Sequence, residues 1–219
     1  LSNNFYNRPN LYNKPSIEFL IDRLRLTKYV DEIVVATTTS EADNKLVNWC
    51  DNNKVKYYRG SEEDVLSRVV SAHEEIGSDI AVSLTGDCPF TDPEIVDLGI
   101  QTFLSNECDY LTNCEIHSFP QGICVQVFRF SDLLKIEKEY TDPVVREHVT
   151  VPFYENKSKY RNLNLIAPNS LQLPEECRTQ LDYPEDLQFL NEVASILVPK
   201  FGYGFSTFDF VNLINQKPD

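Results

Sequence analysis

The sequence predicts an α/β fold, an open and mainly parallel sheet with helices on both faces, in one domain over residues 1–219. Three observations carry this expectation. Helix-period and strand-period segments alternate along the chain, the strand segments include short β-branched runs of the kind that parallel sheets bury, and helix-start signals containing proline recur.

The elements follow in order. After Pro15, the residues Ile17, Leu20, Ile21 and Leu24 form an i, i+3, i+4, i+7 stripe, the mark of an amphipathic helix. The run Glu32-Ile-Val-Val-Ala36 reads as a buried strand, and Ser40 can cap a helix that carries Leu46, Val47 and Cys50 on its apolar side. Residues 55–58 read as a second strand. Val65, Leu66, Val69, Val70, His73 and Ile76 make another helical stripe, and residues 79–84 another strand. Asp92-Pro93-Glu94 is a strong helix start, with a capping carboxylate, a proline in the first turn and an acid at the positive end of the helix dipole. Asp142-Pro143 and Asp182-Tyr-Pro184-Glu-Asp186 carry related signals. Ile123, Val125 and Val127 alternate as a strand facing the core, and a glycine-bearing turn at 201–205 leads into a last helix at 208–215. The first thirteen residues read as a loop, where a doubly wound domain would normally open with a strand.

Composition narrows the function classes. At 42% hydrophobic and 11% aromatic, the chain can bury a sizeable core. Thirty-four acidic residues against 20 basic ones give a formal charge of −14, a surface that repels the backbone of nucleic acids. A small phosphorylated substrate remains compatible, given a local basic pair and a divalent cation. No apolar run approaches the length of a membrane span and no secretory signal is visible, so a cytoplasmic protein is expected. Six cysteines are scattered without a C-x-x-C pair, which argues against a zinc or redox motif and for reduced thiols.

In an open α/β sheet, ligands bind beyond the carboxyl ends of the strands, which selects the loops at 37–40, 59–64, 85–90 and around Asp182. In Leu84-Thr-Gly-Asp-Cys-Pro-Phe90 a strand stops at Thr85, Gly86 permits close backbone approach, and Asp87 projects at the strand end. A carboxylate there suits Mg²⁺, although the same residue can simply cap a turn. Asp182 follows Leu181 and opens a helix. It is either a second metal ligand or an N-cap with an acidic first turn. Cys88 lacks a spaced His/Asp partner and reads as packing, as does His73.

Several segments in register carry a resemblance: Arg59-Gly-Ser-Glu-Glu-Asp-Val-Leu-Ser-Arg68, Thr85-Gly-Asp-Cys-Pro89, Arg146-Glu-His-Val149 and Leu181-Asp-Tyr-Pro-Glu-Asp-Leu187. With Asn13-Lys-Pro-Ser-Ile17 and Val34-Val-Ala-Thr-Thr38, they make the chain resemble the spore coat polysaccharide biosynthesis protein F family over about residues 1 to 190. That family is related to the cytidylyltransferases that activate sialic acids and 3-deoxy-manno-octulosonate. The resemblance implies a Rossmann-like nucleotide-diphospho-sugar transferase fold and CMP transfer from CTP to an acidic sugar, with release of pyrophosphate, in surface polysaccharide biosynthesis. It implies Mg²⁺ held by Asp87 and Asp182, with Arg8 and Lys14 near the phosphates. Ala36, Thr37, Arg59, Gly60, Ser61, Thr85 and Gly86 would line the nucleotide, and Gln121, Gly122, Cys124, Gln126, Arg146 and His148 the sugar. It also implies a homodimer, with residues 113–128 as the candidate arm.

Two stretches depart from the family pattern. The N-terminal signature normally follows a strand, and here only Ser2 and Arg8 of residues 1–8 match its Ser and final Lys. Where relatives carry two acids in Pro-x-Gly-x-Asp-Val-Glu, this chain has Cys124 and Gln126. The departures suit either a more acidic acceptor or a catalytically silent relative acting as a binding or scaffold subunit. A transferase using another nucleotide is the near alternative.

Overall fold

The computed structural model describes residues 10–171, 173 and 177–216. The expectations for Ser2 and Arg8 lie outside the described residues.

The first described feature is a tight turn in which Leu11 and Lys14 exchange backbone hydrogen bonds of 2.8 and 3.0 Å. Tyr12 and Asn13 sit at φ 49° and 63°, a region that side chains usually avoid and that asparagine tolerates best after glycine. Asn13 thus suits a position that would otherwise favour glycine. Helix α1 (Ser16–Leu24) follows and buries Ile17, Leu20, Ile21 and Leu24, the stripe that its spacing predicts.

Strand β1 (Val34–Thr38) pairs in parallel with β2 (Lys56–Gly60), and α2 (Asn44–Asn53) crosses between them. Helix α3 (Val65–Ile76) starts on Asp64, whose carboxylate accepts from Ser67 N at 2.9 Å, and stops at Gly77 in the left-handed conformation. Next come β3 (Ile80–Ser83) and α4 (Pro93–Ser105), the latter capped by Asp92 as expected. The remaining elements are β4 (Tyr110–Thr112), β5 (Gln126–Arg129), α5 (Phe130–Glu139), α6 (Pro143–Glu147), α7 (Val151–Glu155), β6 (Asn162–Asn164), α8 (Pro184–Phe201) and α9 (Thr207–Gln216).

The second sheet has the order β3-β5-β4-β6 and is mixed. Strands β4 and β6 are parallel, while β5 runs antiparallel to both β3 and β4, so the sheet is less uniformly parallel than the sequence suggests. The cause lies in the connection. Residues 113–125 return the chain beside β4 without a helical crossover, and a strand that returns this way must reverse direction.

Alternation along the short strands sorts the core onto two faces. Leu111 and Val127 point to one side, against α1, α4, α8 and α9, and Gly99 of α4 brings its helix within van der Waals reach of Val125 and Val127. Tyr110, Phe128 and Ala81 point to the other side, against α3, α5 and α7. On that face Tyr110 and Phe153 stack at 5.1 Å between ring centroids. Helices thus cover both faces of the sheet. Among the described residues no helix is long and apolar enough to cross a membrane.

Candidate functional site

The 85–91 turn beyond the end of β3 is braced from within and from below. Cys88 N donates to Thr85 O at 3.2 Å, and Thr91 closes the turn through both its amide and its hydroxyl onto Cys88 O. Beneath it lies Arg23 of α1, fully buried, donating to Thr91 O at 3.0 Å and Phe90 O at 3.3 Å. The same guanidinium reaches Tyr203 O and Phe205 O, and it lies 3.9 Å from the centre of the Phe205 ring. Burial lowers its pKa to about 10, so it stays charged at neutral pH. No motif singles out Arg23; its only sequence signal is a charge at the edge of an apolar helix stripe.

Asp87 is 8% exposed at the crest of this turn. Its carbonyl accepts from Leu181 N at 2.8 Å, and its Oδ2 accepts from Gln180 Nε2 at 3.0 Å. The segment that ends in Asp182 is therefore hydrogen-bonded directly to the Asp87 turn. Asp182 is also near enough to Cys88 to act on its thiol, which burial first and the Asp87 charge second push up to about 12. Such a thiol is no nucleophile at neutral pH. The fold thus brings together two candidates that lie far apart in sequence.

Asp182 does not cap α8. The carboxylate of Asp186 accepts from Asp182 N at 2.8 Å and Tyr183 N at 2.7 Å, and Arg178 clamps Asp186 with bonds of 3.0 and 2.7 Å. Arg178 reaches the Asp182 carboxylate only at 3.4 Å. With Asp186 holding the helix start, the Asp182 carboxylate does not serve as a cap and, among the described residues, pairs only with Arg178. Arg178 and Gln180 were not among the residues expected from sequence.

The donor set fits Mg²⁺. Two hard carboxylates, Asp87 and Asp182, lie on hydrogen-bonded segments, and among the described residues no group of three or more His, Cys, Asp or Glu side chains could hold a metal ion. Magnesium prefers few protein ligands and completes its shell with water and substrate phosphates.

At the end of β1, Asp43 accepts from Thr37 Oγ1 at 2.8 Å and from Thr38 N and Oγ1 at 3.0 and 2.6 Å. Burial would raise its pKa, but the hydrogen bonds from Thr38 and Thr37 outweigh it and hold the carboxyl below its usual range. Arg59 braces the same loop, donating to Thr38 O, Ser40 O and Asn44 Oδ1, each at 2.8 Å. Its guanidinium supports the loop beyond Ala36 and Thr37. Ser61 accepts from Asp64 N at 3.1 Å. Gly60 has the Arg68 and Tyr58 side chains 3.0 to 3.1 Å from where a Cβ would stand. Thr85 and Gly86 lie on the Asp87 turn.

Lys14 bonds to Asp22 at 2.5 Å, pairs with Glu18 at 3.4 Å and lies 4.6 Å from the Tyr203 ring centre. Burial pulls its pKa down, but the bond to Asp22 prevails and lifts it above the normal lysine range. Its charge is held against α1.

Residues 113–125 close on themselves. Asn113 Nδ2 donates to Ile123 O at 2.8 Å and its Oδ1 accepts from Val125 N at 2.7 Å. This closure brings Cys114 and Cys124 to a Cα separation of 5.8 Å, and they form a disulfide. The expectation of six reduced thiols is corrected here. The ten-residue spacing carries no known motif, and only the fold-back through Asn113 brings the two sulfurs together. Cys124 is therefore engaged with Cys114, and Gln126 opens β5 opposite Ser83 and Thr112.

Gln121 O accepts from Thr179 N at 2.7 Å, which seats this loop on the Asp182 segment. Gly122, at φ 91°, has Gln180 N 2.6 Å from where a Cβ would stand, so only glycine fits. Gly122→Ala is expected to destabilise the fold by about 2–3 kcal/mol through strain and backbone collision, measured by urea denaturation.

Arg146 bonds to both oxygens of Asp64 and also to Glu137, which ties α6 to the cap of α3 and to α5. The bond to Asp64 is the main cause that raises its pKa. His148 is exposed at the end of α6, and its main-chain N donates to Val144 O at 2.7 Å.

Comparison with known proteins places this geometry among relatives. A cytidylyltransferase family model matches residues 7–193. The chain is 35% identical over 177 residues to an uncharacterised protein of Methanocaldococcus jannaschii, covering 81% of this chain and 71% of that one. It is 31% identical over 210 residues to the spore coat polysaccharide biosynthesis protein SpsF of Bacillus subtilis, covering 93% and 84%. The solved structure of a cytidylyltransferase from Leptospira borgpetersenii superposes with a TM-score of 0.89 at 29% identity, over 100% of this chain and 89% of the other. A CMP:2-keto-3-deoxy-manno-octonic acid synthetase complexed with CTP shares the fold, with a TM-score of 0.62 at 16% identity over 89% and 92% of the two chains.

Proposed function

Since the chain belongs to the cytidylyltransferase family and is a nucleotidyltransferase, we propose that it transfers CMP from CTP to an acidic sugar of the nonulosonate or ketodeoxy acid type, in surface polysaccharide biosynthesis. The observation that supports this reading is the direct bonding of the Asp87 turn to the segment that ends in Asp182. The acceptor class follows the relatives: one is a spore coat polysaccharide biosynthesis protein, and a fold neighbour is a 2-keto-3-deoxy-manno-octonic acid synthetase.

Asp87 and Asp182 would hold Mg²⁺, which when bound supplies positive charge to offset that of the triphosphate. The β1-end loop braced by Asp43 and Arg59 would shape the cytidine and ribose site. A sugar hydroxyl oxygen would attack the α-phosphorus, forming the new P–O bond as the bond to pyrophosphate breaks. The buried Arg23 keeps the Asp87 turn rigid, so that the carboxylate needs little reorganisation as the substrate charge shifts. The loop at 113–125, seated on Thr179, would contact the acceptor through Gln121 and Gly122. A homodimer and a cytoplasmic location belong to the same proposal; the first rests on the resemblance described above and the second on the sequence reading.

One observation favours a second reading, a catalytically silent binding or scaffold subunit: the Lys14 charge is already spent on Asp22 and Glu18. Incubation of the protein with CTP, Mg²⁺ and a panel of acidic sugars separates the two. The transferase reading expects pyrophosphate release with CTP over ATP, GTP and UTP, and a CMP-sugar phosphodiester in the ³¹P spectrum. Absence of both product and CTP binding would leave the silent subunit. Turnover with a different nucleotide would redirect the assignment within the nucleotidyltransferases.

A further inference from the structure

A half-buried amide stands against the Asp87 carboxylate. Gln180 Nε2 donates to Asp87 Oδ2 at 3.0 Å, and because a carboxylate only accepts, the nitrogen end of the amide must face it. The oxygen end of the same amide accepts from Gln121 Nε2 at 3.4 Å, which favours the same orientation. The backbone is fixed on both sides of Gln180. Thr179 N donates to Gln121 O at 2.7 Å and Leu181 N donates to Asp87 O at 2.8 Å. The other carboxylate oxygen, Asp87 Oδ1, meets the Cys88 thiol at 3.7 Å, a weak donor.

The two oxygens of Asp87 are thus unequally engaged. One is held by a neutral amide on a fixed backbone, and the other keeps its lone pairs for a stronger partner. A donor placed behind a ligating carboxylate fixes its rotamer before the metal arrives, and removal of such a donor typically weakens metal binding tenfold or more. We propose that Gln180 is a positioning residue that holds Asp87 for metal binding. This rests on the reading of Asp87 as a metal ligand. The amide carries no charge, so it orients the carboxylate without competing with the cation as a lysine or arginine would.

Mn²⁺ serves as the probe, with binding to the full chain in the presence of CTP followed by the electron paramagnetic resonance signal of free Mn²⁺. Gln180→Leu is expected to raise the Mn²⁺ dissociation constant about tenfold at temperatures where the variant is fully folded. Gln180→Asn, polar but one methylene too short, is expected to lose as much, because reach and not polarity is what positions Asp87. In an Asp87→Ala background, Gln180→Leu is expected to have no further effect, since the amide acts through that carboxylate.

Wild-type affinity in Gln180→Leu, recovery in Gln180→Asn, or an equal loss in the Asp87→Ala background would each overturn the proposal. The metal reading fails separately: Asp87→Ala would then bind Mn²⁺ as tightly as the wild type. That result would remove the ground for the Gln180 proposal as well.

Discussion

Asp87→Asn is expected to lower kcat/KM for CTP-dependent pyrophosphate release by about 10³-fold while leaving the fold intact, the scale set by removing one charged group from a preorganised site. Asparagine keeps the shape of the side chain and can still accept from Gln180, so the change isolates the loss of charge. The fold should not suffer. Asp87 is buried and faces a neutral amide, and asparagine keeps an oxygen acceptor for that amide, so the melting temperature should hold. A fall in activity with no fall in stability is the signature of a residue kept for function. Parallel melts and initial-rate assays decide it. A large loss of stability, or activity within tenfold of wild type, would remove Asp87 from the metal site.

Asp186→Asn is the informative contrast. That carboxylate accepts two backbone amides at the start of α8 and is clamped by Arg178, so its charge is compensated. Its loss should therefore cost stability, as for a capping residue. From the sequence Asp182 reads as either a metal ligand or the cap of the helix that follows. Only the geometry gives the cap to Asp186.

How much was legible in the sequence depended on the range of the interaction. Helix α1, α3 and the start of α4 are local, set by an apolar stripe and a cap, and the structure places them where the spacing predicts. Strand β1 begins at Val34 and extends past the apolar run to Thr38, because parallel pairing with β2 carries it two residues further. Strands β4 and β6 are three residues each, too short for any periodicity to register. The direction of β5 and the Cys114–Cys124 pair depend on how residues 113–125 return to the sheet, a long-range event written in no single segment. Asp87 and Asp182 could be named from strand ends and helix starts. Arg178 and Gln180 could not, because a polar residue in an irregular stretch looks the same whether it faces solvent or a carboxylate.

Arg23 extends the same lesson and carries the largest expected effect on stability. Arg23→Met should destabilise the protein by about 3–5 kcal/mol, a drop in melting temperature of roughly 10 °C or more for a chain of this size. A buried charge can often be replaced by an apolar side chain at little cost, provided its partner is replaced too. Here that route is closed. The partners of Arg23 are the main-chain carbonyls of Phe90, Thr91, Tyr203 and Phe205, which no substitution removes. Methionine would fill the volume and leave those acceptors without their donors. Lysine keeps the charge but presents one compact ammonium to carbonyls spread around a planar fork, so Arg23→Lys should recover only part of the loss. Because two of the four carbonyls belong to the turn that carries Asp87, the damage should reach the site. Metal-dependent CTP binding in Arg23→Lys is expected to weaken even at temperatures where the variant is fully folded. Urea denaturation of both variants gives the first quantity, and calorimetric titration of Arg23→Lys gives the second. Wild-type stability in Arg23→Met would mean that the four carbonyls find other donors. Wild-type CTP binding in a destabilised Arg23→Lys would show that the Asp87 turn holds its shape without the guanidinium beneath it.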